Sequence, residues 1–155
     1  MGLKDSNFKK YSSRLSAADM ERFKENEKEL IRKIRNIKVI FERENNLSSL
    51  KAYELLEEKC QISVSAFKYV IGGKKGYTVN RRFLYKLVVG LKMSLEEADE
   101  LFELEGGKLN ENDLEDSICK GALRDGDDIY EFIEEFETKT GLKISLRERK
   151  TDKIK

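Results

Sequence analysis

The chain has 155 residues, 39% charged and 39% hydrophobic, with a net charge of +1 and no histidine, proline or tryptophan. Without histidine there is no imidazole base and no His-ligated metal, which argues against catalysis and against a bound metal or cofactor. No apolar run approaches the length of a membrane span and no signal peptide opens the chain, so a highly charged, cytoplasmic helical protein without a membrane role is expected.

The small net charge hides an uneven distribution. Residues 1–92 carry 21 basic side chains against 11 acidic, whereas residues 93–139 carry 4 against 17. A densely negative partner should meet the first part and be repelled by the second.

In chain order, residues 1–15 are polar and lack a helical period, which reads as a flexible arm. Ser16 then opens a long helix, with Asp19 at the spacing of a capping box. Met20, Phe23, Glu27, Leu30, Ile34, Ile37 and Phe41 follow a 3-4 alternation as far as Glu44. Such a seam suits a coiled-coil dimer. It also suits a first core helix with an N-terminal extension, and the extra apolar residues Ile31, Val39 and Ile40 favour burial on more than one side. Asn45-Asn46 ends the helix.

SSLKAYELLEEKC predicts a second helix, capped by Ser48 or Ser49, with Leu55 and Leu56 inward. Cys60-Gln61 is a short turn. Ser63 caps a third, short helix, whose inner side is Ile62, Phe67, Val70 and Ile71 and whose outer side is Val64, Ser65, Lys68 and Tyr69. Gly72-Gly73 stops it by taking the left-handed conformation. Two short helices across a tight turn, the second basic and partly exposed, read as a helix-turn-helix. Residues 59–95 contain eight basic side chains and no acid, as expected of a surface that faces a polyanion.

Asn80 caps the fourth helix, to about Leu91, with Phe83, Leu84, Leu87, Val88 and Leu91 as its apolar face. Arg81 and Arg82 stand at its N-terminal end, where a cation opposes the helix dipole. That placement suggests a phosphate role. Ser94 caps the fifth helix, which Gly106-Gly107 stops, and a boundary is expected there. Residues 107–145 read as an acidic helical pair. One helix runs from about Asp113 to Arg124, and the next is capped by Asp127 or Asp128 and ends at Gly141. Neither helix can bury its apolar face alone, so the pair must pack on the first domain or on another subunit. Asp125, Asp127 and Asp128 suit helix capping better than a calcium loop, because Ile129 interrupts the ligand spacing. Cys60 and Cys119 form no metal motif and are expected to be reduced. Residues 146–155 are a charged tail.

LEEKCQISVSAFKYVIGGKK resembles the Cro/repressor-type (XRE-family) helix-turn-helix, with Ile62-Ser63 opening the recognition helix and Gly73-Lys74-Lys75 closing it. The resemblance extends over roughly residues 28–106. LEDSICKGALRDGDDIYEFIEEFETKTGL is similar to a branch of such regulators with an extra helical pair. The sequence departs from the family at Val79, where a proline is usual, at the inserted Gly76-Tyr77, and at Glu57, where a small residue is frequent. Its recognition helix has neither arginine nor glutamine.

The resemblance implies an all-α, lambda-repressor-like five-helix domain over residues 16–106, carrying a two-helix appendage. It implies a sequence-specific regulator that binds double-stranded DNA, as a homodimer. Val64, Ser65, Lys68 and Tyr69 would face base edges, and Ser63, Lys74, Lys75, Arg81 and Arg82 would hold phosphates. The competing expectation is an adaptor, inhibitor or antitoxin that uses the same scaffold, or the acidic helices of 107–145, on a protein partner.

Overall fold

A computed structural model describes the backbone of residues 2–72 and 79–144, with side chains from Ala17 onward. The described residues are all-helical. The helices are α1 (Gly2–Asn45), α2 (Ser49–Cys60), α3 (Val64–Ile71), α4 (Arg81–Gly90), α5 (Leu95–Glu105), α6 (Leu114–Asp125) and α7 (Ile129–Thr140).

Their ends are set by local chemistry. Ser48, Ser63, Asn80, Ser94, Asp113 and Asp128 are N-caps whose side chains each accept from a first-turn backbone N–H. Ser94 with Glu97 and Asp128 with Glu131 complete capping boxes. Asn46, Gln61, Gly126 and Gly141 take the left-handed conformation just past helix ends. Of the Gly72-Gly73 pair expected to close α3 in the left-handed conformation, Gly72 is right-handed at φ −71° and Gly73 lies outside the described residues.

α1 begins at Gly2, so the loose arm expected over residues 1–15 is helical from residue 2, and Ser16 lies within the helix rather than at its cap. No proline interrupts this stretch, and between Gly2 and Asn45 no glycine does either. The seam divides along its length. Leu30, Ile34 and Phe41 are buried against the domain, whereas Met20 and Phe23 are 56% and 65% exposed.

α4 is the central helix. Every residue from Phe83 to Val89 is buried, because α2, α5, α6 and α7 all pack around it. One apolar face was expected, yet Tyr85, Lys86 and Val89 are covered as well. At Gly90 a β-carbon would lie 2.6 Å from both the Cys60 Sγ and the Lys59 carbonyl oxygen, so glycine is what lets α2 and α4 touch. The apolar sides of α6 and α7 join this same core. Ile118, Cys119, Ala122, Ile129, Phe132 and Phe136 are buried in one cluster with Leu84, Leu87 and Phe102. The Tyr85 ring lies 5.6 Å from that of Phe102 and 6.3 Å from that of Phe132. Gly106-Gly107 is thus a turn within one core, and the helical pair packs in cis on the preceding helices.

Candidate nucleic-acid interface

α3 is held on its inner side and at both ends. Phe67 and Val70 are buried, and the Phe67 ring meets that of Phe83 edge-on at 5.4 Å. At the N-terminus the Ser63 hydroxyl accepts from the Ala66 N–H at 3.1 Å, and Glu57 Oε2 accepts from the Val64 N–H at 3.2 Å. At the C-terminus Arg35 donates to the Ile71 carbonyl at 2.6 Å. A one-residue left-handed turn at Gln61 sets the angle between α2 and α3.

The outer side presents Ser65, Lys68 and Tyr69, all exposed, which with Gly72 line a shallow groove. The structure therefore brings together three of the four expected base-contact residues. Val64, the fourth, is half-buried. Ser63 is half-buried and its hydroxyl is occupied as a cap. Lys74 and Lys75 lie outside the described residues.

Arg81 and Arg82 are in a different role from the expected one. Arg81 makes a two-pronged contact with Asp116, at 2.8 and 2.7 Å, and donates to Glu105 at 2.7 Å and to the Lys108 carbonyl at 3.2 Å. Its guanidinium lies 4.8 Å from the Phe102 ring centre. Arg82 makes the same forked contact with Glu115, at 3.2 and 2.9 Å. Hydrogen bonds donated to these carboxylates hold both guanidinium pKa values above the ordinary range. The two arginines at the start of α4 are paired with the acidic first turn of α6, so they tie α4 to α6.

Asp116 is the hub of that tie. It is 3% exposed and also accepts from the Tyr85 hydroxyl and, at 3.0 Å, from the Asn110 N–H. Burial pushes its carboxyl up, but the bonds from Arg81, Tyr85 and Asn110 outweigh burial and hold it below the usual aspartate value. The Tyr85 phenol is pushed up by burial and by its bond to Asp116. Cys60 and Cys119 are free, fully buried thiols, and burial pushes Cys60 up to about 12 and raises Cys119 as well. Such thiols stay protonated and unreactive.

The sequence reading missed the surroundings of α3, which differ on its two flanks. On one flank the Tyr53 ring is near two ammonium groups, Lys38 at 4.2 Å and Lys68 at 5.6 Å. Lys38 is buried, donates to the Ser49 hydroxyl at 2.6 Å and pairs with Glu42. A lysine within the apolar run IKVIF was the only signal for this arrangement in the sequence. On the other flank Glu54, Glu57, Glu58, Gln61 and Ser63 line an acidic hollow. Gln61 donates to the Tyr130 hydroxyl at 3.2 Å, which brings the start of α7 alongside. Nearby in sequence, Asp127 has its carboxyl pushed up by partial burial and by Glu131, Asp125, Glu135 and Asp128. α3 therefore has Lys68 beside the Tyr53 ring and an acidic hollow near its N-terminal end.

Among the described residues, no cluster of His, Cys, Asp and Glu is disposed to hold a metal ion, and no helix is long and apolar enough to cross a membrane. Comparison with protein-family models, curated proteins and solved structures finds no match to this chain.

Proposed function

We propose that the chain is a cytoplasmic DNA-binding transcriptional regulator of the Cro/repressor type, with α2 and α3 as its helix-turn-helix in a lambda-repressor-like arrangement, acting as a homodimer on two half-sites. One observation supports this most: Ser65, Lys68 and Tyr69 are exposed together on one face of a short helix that is locked in the core and bonded at both ends. A rigid helix presenting a hydroxyl, an ammonium group and a phenol is suited to read base edges in a major groove. Arg81 and Arg82 drop out of the phosphate set. Lys74 and Lys75, outside the described residues, remain its candidates.

On this reading Lys68→Ala costs about 1–3 kcal/mol at one base position and relaxes preference there, because a lost base contact is felt only on the matched sequence. Lys75→Ala weakens matched and mismatched DNA alike and flattens the salt dependence, whose slope is about 0.9 per phosphate neutralised. Fluorescence titrations on matched and single-mismatch duplexes separate the two. Equal losses for both variants on both duplexes would remove Lys68 from base readout.

A second reading is favoured by the acidic hollow. Glu54, Glu57 and Glu58 lie at the end of α3 that would approach a phosphate backbone. A protein-binding adaptor would use that surface on a basic partner. Charge reversal of Glu54 and Glu58 tests it: the regulator keeps its DNA affinity or gains some, and the adaptor loses its activity.

A further inference from the structure

We propose that Tyr53 of α2 is a positioning residue for Lys68 of α3, so that preference at the base Lys68 reads depends on an aromatic ring at position 53. The proposal rests on the reading of α3 as a helix that contacts base edges. The observation is a meeting of three helices at one ring. The Tyr53 side chain is half-buried and packs against the core, which holds the ring in place. The ammonium of buried Lys38, on α1, lies 4.2 Å from the ring centre, and Lys38 is itself fixed by donating to the Ser49 hydroxyl and pairing with Glu42. The ammonium of exposed Lys68 lies 5.6 Å from the same ring centre. Both distances are within reach of a cation–π contact.

A lysine has a long, flexible stem and loses much of that freedom when its ammonium is fixed on a base. A contact that restricts the side chain in the free protein reduces the loss on binding. The ring supplies that contact without neutralising the charge, which a carboxylate would do. Among the described residues no carboxylate pairs with Lys68, so its ammonium keeps its hydrogen-bond donors for DNA. Lys38 would repel a second cation, but Glu42 offsets its charge. The aromatic face carries the effect, so the phenol hydroxyl is dispensable and an aliphatic side chain at position 53 is not a substitute.

Two measurements on the full chain test it, one without DNA and one with. In the free protein the ε-methylene resonances of Lys68, identified by their absence in Lys68→Ala, should be moved upfield by the ring in the wild type and in Tyr53→Phe. In Tyr53→Leu they should return to the ordinary lysine position. The second measurement compares a selected duplex with one mismatched at the base pair where Lys68→Ala relaxes preference. Tyr53→Leu should lower that affinity ratio by about two- to fivefold, the strength of an exposed cation–π contact, and Tyr53→Phe should preserve it. In a Lys68→Ala background Tyr53→Leu should change the ratio no further. Should Tyr53→Leu fail to fold, the wild-type and Tyr53→Phe resonances still decide whether the ring holds Lys68. Lys68 resonances at the ordinary position in the wild type, or a wild-type preference that Tyr53→Leu leaves intact, would overturn the role of Tyr53 alone. A wild type with no preference between any duplexes would overturn the reading of α3, and this role with it, whatever the resonances show.

Discussion

Replacing Asp116 with alanine is expected to lower stability by about 3–5 kcal/mol, the range for removing one partner of a buried ion pair. The loss is large because one carboxylate satisfies several groups at once. Without it the Arg81 guanidinium keeps only Glu105 and the Lys108 carbonyl, and the buried Tyr85 hydroxyl and the Asn110 N–H lose their acceptor. For a chain of this length the midpoint of thermal unfolding should fall by roughly 10 °C. Removing both charges, as in Asp116→Leu with Arg81→Met, should cost less than removing Asp116 alone, since no guanidinium is then stranded.

The sign with pH follows from the depressed carboxyl. The contribution of Asp116 is complete above the ordinary aspartate value of about 4 and is lost only as pH falls through its lower folded value. The stability gap between wild type and Asp116→Ala should therefore hold at neutral pH and close in acid. Thermal melts followed by circular dichroism at both pH values give the result. A gap below about 1 kcal/mol at neutral pH would show that the hub contributes little.

Removing residues 107–155 should leave a chain that does not fold cooperatively. The deletion takes Ile118, Ile129, Phe132 and Phe136 out of the core, each worth about 1.5–3 kcal/mol of burial. It also uncovers Tyr85 on α4 and strips Arg81 and Arg82 of Asp116 and Glu115. Those losses together match the whole stability of an ordinary domain, about 5–15 kcal/mol. An independent five-helix domain with an appendage would instead keep a sharp melt after the cut. A truncated chain that melts cooperatively within a few degrees of the full one would support a domain boundary at Gly106-Gly107.

The two halves of that contrast show what the sequence could and could not reveal. The caps Ser63, Asn80 and Ser94 were legible, since each acts on backbone N–H groups only a few residues away. So was the split of α3 into inner Phe67 and Val70 and outer Ser65, Lys68 and Tyr69, which depends on helical period alone. The fate of Arg81 and Arg82 was not legible. Their carboxylate partners lie 24 to 35 residues away, and only the packing of α6 on α4 brings them within reach. The same packing buries Tyr85 and Val89, which lie off the apolar face that period picks out on α4. Glu57 shows the limit within the site itself: its place in α2 was visible, but its bond to the Val64 N–H depends on the left-handed turn at Gln61.

Selection of random duplex DNA by the full-length protein near physiological salt tests whether α3 reads DNA sequence. Expected is enrichment of a defined half-site for the wild type, with Lys68→Ala relaxed at one position of that half-site and Tyr69→Ala altered at a neighbouring one. Enriched pools indistinguishable from the starting DNA, or identical sites for the wild type and both variants, would contradict it.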